Sequence, residues 1–299
     1  MSRDVRSPTP ASLLHQWVSE RVSEEERVWL DDKRAEISEG ASEQAFFLAF
    51  SAVPRRLGKA DLALTEEDLQ DADAAREGWQ PDDWSVDQAG RTLLALALPS
   101  QEADAYQQTL ERTFAHADVG ESVALYQSLP LLPHPGRHTA RAAEGVRTNM
   151  TSVFDAVALR NPYPAEQFDD TAWNQMVLKA LFVGSPLYPI YGLDRRANAA
   201  LARMLVDYAH ERWAAGRPVA PELWRPVGPF AEKEAVDDLK YVLSSSDPAR
   251  REAAALALSQ SPSEKADAAL ADEPELRAAI ADGRLTWKRF SRERVADPH

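Results

Sequence analysis

The chain contains no cysteine among its 299 residues. Disulfides, thiolate metal sites and a cysteine nucleophile are therefore excluded. Basic residues are also scarce, because 34 Lys and Arg stand against 48 Asp and Glu and give a formal net charge of -14. Nucleic acids and anionic membranes are bound through basic surfaces, so this balance disfavours both as partners.

Long apolar runs are missing as well. The strongest, around Leu93–Leu98 and Met176–Val183, are too short to span a bilayer, and Lys179 interrupts the second. The N-terminal run MSRDVRSPTPASLLHQW contains no long apolar stretch of the kind that marks a secretory signal. We therefore expect a cytoplasmic protein with no membrane insertion.

The period-two alternation that is typical of β-strands is nearly absent. Short apolar-periodic segments instead alternate with turns marked by Pro and Gly. Helix-start signals recur, as in the capping box of Ser23 with Glu26, the cap at Asn198 and the pair Asp247–Pro248. The pattern predicts an all-α fold, either an irregular α–α repeat of the HEAT or armadillo kind or a compact helical array.

We expect one all-helical domain over residues 1–299. Within it, residues from about 54 to 85 form an acidic, loop-rich excursion, about 139–230 form a motif-rich centre, and about 234–290 form HEAT-like helices. Apolar residues recur at three- and four-residue steps from Ala143 to Val157. This seam predicts one long helix over Thr139–Leu159, weakened early by Gly145.

No sequence motif indicates a particular reaction. HExxH, the Walker loop, GxGxxG and GxSxG are all absent. His134 and His138 lie four residues apart, but Pro135 and Gly136 between them spoil the helical geometry that would bring both rings to one metal. The sequence therefore predicts no metal site, no cofactor and no catalytic residue.

The centre places isolated polar residues among aromatics and prolines, densest in NPYPAEQFDDTAWNQMVLKALFVGSPLYPIYGLDRRAN. Burying a polar group among large apolar ones costs free energy unless the group forms a hydrogen bond. This region is therefore either a core that contains hydrogen-bonded polar side chains or the lining of a pocket. Residues 134–217 carry ten Arg and Lys against eight Asp and Glu, in contrast to the acidic remainder. A less acidic centre suits a small anionic or polyhydroxylated ligand. Alternatively, the contrast only shows that the acidic residues that keep the protein soluble lie outside this region.

Each candidate residue has a structural and a functional interpretation. Lys179 lies either on a narrow solvent-facing edge or in a groove that receives an anion. Arg147 and Asp155 share a helical stripe that is a solvated face unless another helix covers it. A further group of candidates consists of asparagines, a residue type whose preference for caps and turns favours a structural role for each. They are Asn149, Asn161, Asn174 and Asn198.

Over Ala142–Phe230, and above all in WNQMVLKALF followed by PLYPIYGLD, the chain resembles the EboA family of bacterial proteins. The resemblance implies a helical protein encoded with other Ebo proteins, in operons associated with secondary-metabolite traffic and notably with delivery of a precursor to the periplasm. Other members of such operons look like a prenyltransferase-type membrane protein and enzymes of sugar-phosphate type. The resemblance carries over no catalytic residue. It marks a shared central feature at Arg147, Asn149, Asp155, Asn161, Asn174, Lys179, Asp194 and Arg195.

Three functions are compatible with these observations. The first is a non-enzymatic cytoplasmic scaffold that binds a small polar metabolite or other Ebo-type pathway proteins. The second is an enzyme acting on a small polar, sugar-phosphate-like metabolite, with Asp155 or Asp194 as general acid or base. Lys179 with Arg147 or Arg195 would then stabilise negative charge. The third is a pure protein–protein adaptor, which predicts an exposed apolar patch without a pocket.

Overall fold

The computed structural model describes the backbone of residues 8–295 and the side chains of residues 8–291. Over that range the protein consists of α-helices and short 3₁₀ turns without any β-strand, and an isolated bridge joins Asp61 to Ser85. The all-α prediction is confirmed. The chain forms two compact units, unit 1 over Met1–Asp169 and unit 2 over Asp170–His299. The expectation of a single domain over 1–299 stays a prediction.

Unit 1 is built from short helices joined by tight turns. Its α-helices are α1 (Pro10–Ser19), α2 (Glu24–Ser38), α3 (Glu43–Leu57), α4 (Glu66–Ala75), α5 (Val86–Leu96), α6 (Ala103–His116), α7 (Val119–Ser128), α8 (Thr139–Arg147), α9 (Thr151–Ala158) and α10 (Tyr163–Gln167). Side-chain caps explain where several begin, because a Ser, Thr or Asp oxygen accepts the otherwise unpaired amide of the first turn. The predicted capping box of Ser23 with Glu26 is present at α2, and Thr65 with Asp68 forms another at α4.

Helix α5 lies at the centre of unit 1, where it packs against α1, α2, α3 and α7. Nearly every residue from Val86 to Ala95 is buried. An aromatic cluster stands before it, with the Trp79 ring centroid 5.8 Å from both Trp17 and Trp84. Trp84, two residues before α5, is thereby held by an edge-on contact with Trp79.

The segment over residues 54–85 contains the end of α3 and the whole of α4. Helix α3 continues through Pro54 to Leu57. A proline inside a helix removes the amide that would pair with the carbonyl four residues earlier, here that of Phe50. The Arg91 Nε of α5 donates to this Phe50 carbonyl oxygen at 3.3 Å. A donor from a neighbouring helix therefore replaces the missing one and allows α3 to continue.

The prediction of one long helix over Thr139–Leu159 is wrong. Helix α8 ends at Arg147, and α9 begins at Thr151. Thr148 is extended, with φ -60° and ψ 155°, and its hydroxyl oxygen accepts the Met150 amide at 3.2 Å. This local side-chain bond competes with helical pairing. A Cβ at Gly145 would lie 2.6 Å from the Tyr126 ring and 2.8 Å from Val157, so the glycine permits the close packing of α8 on α7 and α9.

Unit 2 contains helices near residues 234–290, where the sequence predicts a HEAT-like arrangement that stays a prediction, together with two helices before them. Its α-helices are α11 (Asp170–Val183), α12 (Ala199–Ala214), α13 (Lys233–Leu243), α14 (Pro248–Gln260), α15 (Glu264–Ala271), α16 (Pro274–Ala281) and α17 (Trp287–Val295). The predicted cap at Asn198 is observed, because its side chain accepts the Leu201 amide at 2.9 Å. Asp247 likewise caps α14, as predicted, by accepting the Ala249 amide at 2.8 Å.

Helix α14 forms the core of unit 2. Residues Ala253 to Leu258 are all buried, and α13, α15, α16 and α17 pack around the helix. A 3₁₀ turn over Gly228–Phe230 also contacts it. A Cβ at Gly228 would lie 2.8 Å from the carbonyl oxygen of Ala257, so only glycine allows the two backbones to approach this closely.

Within residues 8–295, none of the helices combines the length and the apolar character that crossing a bilayer requires.

Candidate functional site

The eight residues singled out from the sequence are divided equally between the two units. Unit 1 holds Arg147, Asn149, Asp155 and Asn161, and unit 2 holds Asn174, Lys179, Asp194 and Arg195. Arg147 and Asn149 are exposed at the break between α8 and α9. Asp155 and Asn161, by contrast, line one pocket.

This pocket lies wholly within unit 1 and has a volume of about 250 Å³. Helices α5, α7 and α9 and the loops before α5 and after α9 supply its walls. Its lining residues are Asp83, Trp84, Gln88, Val123, Gln127, Ser152, Asp155, Ala156, Leu159, Arg160 and Asn161. The volume falls just below the range of about 300–1,000 Å³ that is typical of drug-sized ligands, so the pocket suits a smaller molecule.

Asn161 holds the turn that follows α9. Its side-chain amide donates to the carbonyl oxygens of Tyr126 at 3.1 Å and Ala156 at 3.0 Å. Its Oδ1 accepts the Tyr163 amide at 3.0 Å. Both polar atoms of the side chain therefore form hydrogen bonds to backbone groups. Asn161 contributes to the pocket wall by stabilising the turn.

The residue before it, Arg160, has a backbone φ of 54°. This is the left-handed region that residues other than glycine rarely adopt, and such strain persists where the surroundings over-determine it. Asn161 provides that constraint on one side. On the other, the Arg160 carbonyl oxygen accepts the Gln80 amide at 3.4 Å.

The strained residue places a guanidinium between two neighbouring carboxylates. Arg160 Nε lies 2.8 Å from Asp82 Oδ1, and Nη1 lies 3.5 Å from Asp83 Oδ2. Burial raises the pKa of the Asp83 carboxyl, and the Asp82 and Asp155 charges add to the rise, while Arg160 opposes it. The Asp83 side chain is still 52% exposed, so water screens these interactions.

Gln127 of α7 contributes a buried acceptor to the same pocket. Its Oε1 is shielded from water, and no residue of the described range 8–291 donates a hydrogen bond to it. A buried polar atom without a partner is costly, and native structures contain few of them. Sequence reasoning missed Gln127, Asp83 and Arg160, since they lie far apart in the chain and none belongs to a recognisable spacing pattern.

Helix α5, which supplies Gln88 to the pocket, also carries a buried ion pair. Arg91 Nη1 donates to Asp87 Oδ2 at 2.9 Å, and the two side chains are 3% and 7% exposed. The Ser85 hydroxyl donates to the other oxygen of Asp87 at 2.6 Å. The charges are therefore compensated on both sides, as buried charges must be.

In unit 2, Asn174 and Asn198 form a reciprocal amide pair. Asn174 Nδ2 donates to Asn198 Oδ1 at 3.2 Å, and Asn198 Nδ2 donates to Asn174 Oδ1 at 2.9 Å. Because Asn198 also caps α12, the pair ties the buried face of α11 to the start of α12. The asparagines have a structural explanation here.

The charged candidates of unit 2 are distributed along its surface. Asp194 accepts two hydrogen bonds from Arg225, both at 2.7 Å, in a bidentate pair. The guanidinium of exposed Arg195 lies 5.1 Å from the Tyr191 ring. Lys179 is half-buried on α11, and burial lowers the pKa of its ammonium group.

The two histidines of the HPGRH run both bind backbone carbonyls. His134 Nε2 lies 2.8 Å from the Ser100 oxygen, and His138 Nε2 lies 2.9 Å from the Pro133 oxygen. Among the residues that the structure describes, no group of three or more His, Asp or Glu is arranged to hold a metal ion.

Comparisons with known proteins agree with the resemblance noted in the sequence. No curated protein and no solved structure matches the chain. A family model described as metabolite traffic protein EboA matches residues 10–228, well over half of the chain and the whole of the unit 1 pocket. The chain therefore belongs to the EboA family.

Proposed function

We propose that the protein is a non-enzymatic binding protein that holds a small polar metabolite in the unit 1 pocket during its biosynthesis or its export. The family is described as one of metabolite traffic, which supports a metabolite-related role. The observation that carries the proposal is the convergence of Asp155, Asp83, Arg160 and Gln127 on one small cavity. A cytoplasmic location, delivery of a secondary-metabolite precursor to the periplasm and hand-over to other Ebo-type proteins belong to the same proposal.

The charges of the pocket favour a neutral or cationic ligand. Two carboxylates, Asp83 and Asp155, line it against the single guanidinium of Arg160, which already faces Asp82 and Asp83. An additional anion would be repelled, so the sugar-phosphate-like metabolites of the alternative enzyme hypothesis fit less well than polyols or amino sugars. Hydroxyl and ammonium groups are donors, and a donor entering here would meet the carboxylates and the orphaned acceptor of Gln127.

Thermal-shift and calorimetric titration with myo-inositol, glucosamine and glucose phosphate test this proposal. We expect one of the two uncharged or cationic probes to bind and the phosphate ester to bind more weakly. Asp155→Asn should weaken that binding by about tenfold, the loss typical of a hydrogen bond to a charged group. Asp194→Asn, in unit 2, is the matched control and should leave binding unchanged.

Two outcomes would overturn the proposal. One is preferential binding of glucose phosphate by the wild type. The other is an unchanged affinity in Asp155→Asn while the variant keeps the wild-type melting temperature of the unliganded protein. The adaptor hypothesis predicts a different result, in which none of the three probes binds and the protein instead associates with a second protein through an exposed apolar face.

Catalysis is a second candidate function, because one observation favours it. Burial raises the pKa of Asp83, and a second carboxylate, that of Asp155, lines the same pocket. Two carboxylates in different environments serve as acid and base in many enzymes. The test is incubation of the bound probe with wild-type protein and with Asp83→Asn, followed by NMR analysis of the products. Conversion that depends on Asp83 would establish an enzyme, and an unchanged probe would favour simple binding.

A further inference from the structure

A second cavity lies wholly within unit 2, between the end of α12, the loop that follows it, the end of α13 and the start of α14. Its volume is about 630 Å³, well inside the range of small-molecule sites. Its lining residues are Trp213, Gly216, Arg217, Pro218, Val219, Pro221, Trp224, Tyr241, Val242, Ser244, Ser245, Ser246 and Arg250. We refer to it as the aromatic cleft.

Three aromatic rings shape one wall of the aromatic cleft. Trp213 stacks on Trp224 with ring centroids 5.8 Å apart and an interplanar angle of 28°. The Tyr241 ring meets Trp213 edge-on at 5.3 Å. Trp224 is buried and anchors the stack, whereas Tyr241 is 66% exposed. Trp213 is half-buried and is also contacted by His210, with ring centroids 5.7 Å apart. The exposed ring of Tyr241, backed by this cluster, is suited to receive another flat ring.

The charge of the aromatic cleft is opposite to that of the chain. Arg217 and Arg250 line it, and its described lining contains no Asp or Glu, although the whole chain carries a net charge of -14. Asp247, outside the lining, approaches Arg250 Nε at 3.5 Å. No residue in the described range 8–291 forms an ion pair with exposed Arg217, so its guanidinium is available to an anion.

A polar hydroxyl edge completes the aromatic cleft. Ser244 donates to the Tyr241 carbonyl oxygen at 2.8 Å, and the Ser245 hydroxyl oxygen accepts the Asp247 amide at 3.2 Å. These bonds fix the turn between α13 and α14. Ser246 is exposed beside them and adds a donor to the side of the cleft that carries Arg250.

From these contacts we infer that the aromatic cleft binds a planar, ring-bearing anion, with the ring against Tyr241 and Trp213 and a carboxylate or phosphate at Arg217 and Arg250. The aromatic rings and the two arginines contact different parts of one ligand. A neutral ring would lack the contact with the arginines, and a simple anion would lack the stacking contact. This binding function is additional to that of the unit 1 pocket and does not depend on it.

Quenching of tryptophan fluorescence and calorimetry can test the inference on the full chain. AMP and naphthyl phosphate carry both a ring and an anionic group. Adenosine and naphthol keep the ring without the charge, and inorganic phosphate keeps the charge without the ring. We expect both ring-bearing anions to bind at least about tenfold more tightly than any of the three partial probes, since stacking and a charge-assisted hydrogen bond each contribute.

Two exposed positions can be changed with little risk to folding. Tyr241→Ser removes a stacking face, and Arg217→Gln removes the free cation. Each should weaken AMP binding by about tenfold. The matched controls are Phe182→Ser, an aromatic side chain that is 76% exposed and does not line the cleft, and Arg277→Gln on α16. Both controls should bind AMP as the wild type does.

The inference is overturned if AMP and naphthyl phosphate bind no better than their partial probes. It is also overturned if Tyr241→Ser and Arg217→Gln bind AMP as tightly as the wild type. Asp155→Asn separates this site from the unit 1 pocket, because it should leave AMP binding unchanged. A loss of AMP binding in Asp155→Asn alone would assign the ligand to the pocket and remove the cleft from consideration.

Discussion

Unit 1 and unit 2 differ in the polar side chains that they bury. The interior of unit 1 contains charged side chains, Asp87, Arg91 and Glu121, together with buried His138 and Asn161. Over residues 170–291 of unit 2, the buried polar side chains are uncharged, and α14 fills the core with alanine and leucine. The charges of unit 2 stand at its surface, as in the pair of Asp194 with Arg225.

The difference shows where each unit is vulnerable. Buried charges are tolerated only while every partner is present, so unit 1 should respond strongly to the loss of a single polar group. Surface pairs contribute little, so unit 2 should be insensitive to the loss of a charge and sensitive to changes of volume in its tightly packed core.

The largest effect should come from breaking the buried pair in unit 1. Asp87→Ala leaves the Arg91 guanidinium buried without its counter-charge, and we expect the free energy of unfolding to fall by about 3–5 kcal/mol. The matched change in unit 2, Asp194→Ala, removes a surface pair and should cost less than about 1 kcal/mol. Urea denaturation followed by circular dichroism measures both. Similar losses in the two variants would contradict the contrast between the units.

A smaller effect should follow from adding a methyl group at close contacts. Gly228→Ala in unit 2 places a Cβ 2.8 Å from a backbone oxygen, which cannot move aside, and should destabilise by about 2–3 kcal/mol. Gly145→Ala in unit 1 meets the side chains of Tyr126 and Val157, which can shift, and should cost about 1–2 kcal/mol. Gly136, with no atom within 4 Å of an added Cβ, is the control, and Gly136→Ala should be nearly neutral. A larger loss in Gly145→Ala than in Gly228→Ala would contradict this, because it would mean that the backbone near Gly228 shifts more easily than the Tyr126 ring near Gly145.

The smallest effect concerns pH. Burial lowers the pKa of His138 in the folded protein, although the Pro133 carbonyl and Glu111 act in the opposite direction. The unfolded chain therefore takes up this proton first, so the stability of unit 1 should fall as the pH drops below about 6.5. His138→Gln should flatten this dependence between about pH 7.5 and pH 5.5, whereas His116→Gln, at an exposed position, should not. Unfolding midpoints across that range measure the slopes, and equal slopes in both variants would exclude the buried histidine as the cause.

Local signals were predicted well from the sequence because their physics is local. The caps at Ser23, Asn198 and Asp247 depend on side chains within three residues of the amides they satisfy. The all-α class likewise follows from apolar periodicity. The long helix over Thr139–Leu159 was wrong since the apolar seam continues through both α8 and α9, and only the Thr148 side chain and the packing of Gly145 on Tyr126 reveal the break.

The pocket could be predicted only in part. Asp155 and Asn161 were selected because they stand in the unusual central run, and both line the pocket. Asp83 and Gln127 reach it from the loop before α5 and from α7, so their proximity arises from tertiary packing alone. The aromatic cleft was missed for the same reason, because Tyr241 and Arg250 join Trp213 and Trp224 from later helices.

The left-handed backbone conformation of Arg160 carries an energetic cost. Glycine adopts a φ of 54° without steric cost, whereas any other residue there stores strain of about 1–3 kcal/mol. Backbone conformation alone would therefore favour glycine after α9. A guanidinium that faces two aspartates occupies the position instead, so the ion pairs of Arg160 with Asp82 and Asp83 act against the cost of its backbone, and Arg160→Gly would exchange them for a relaxed turn.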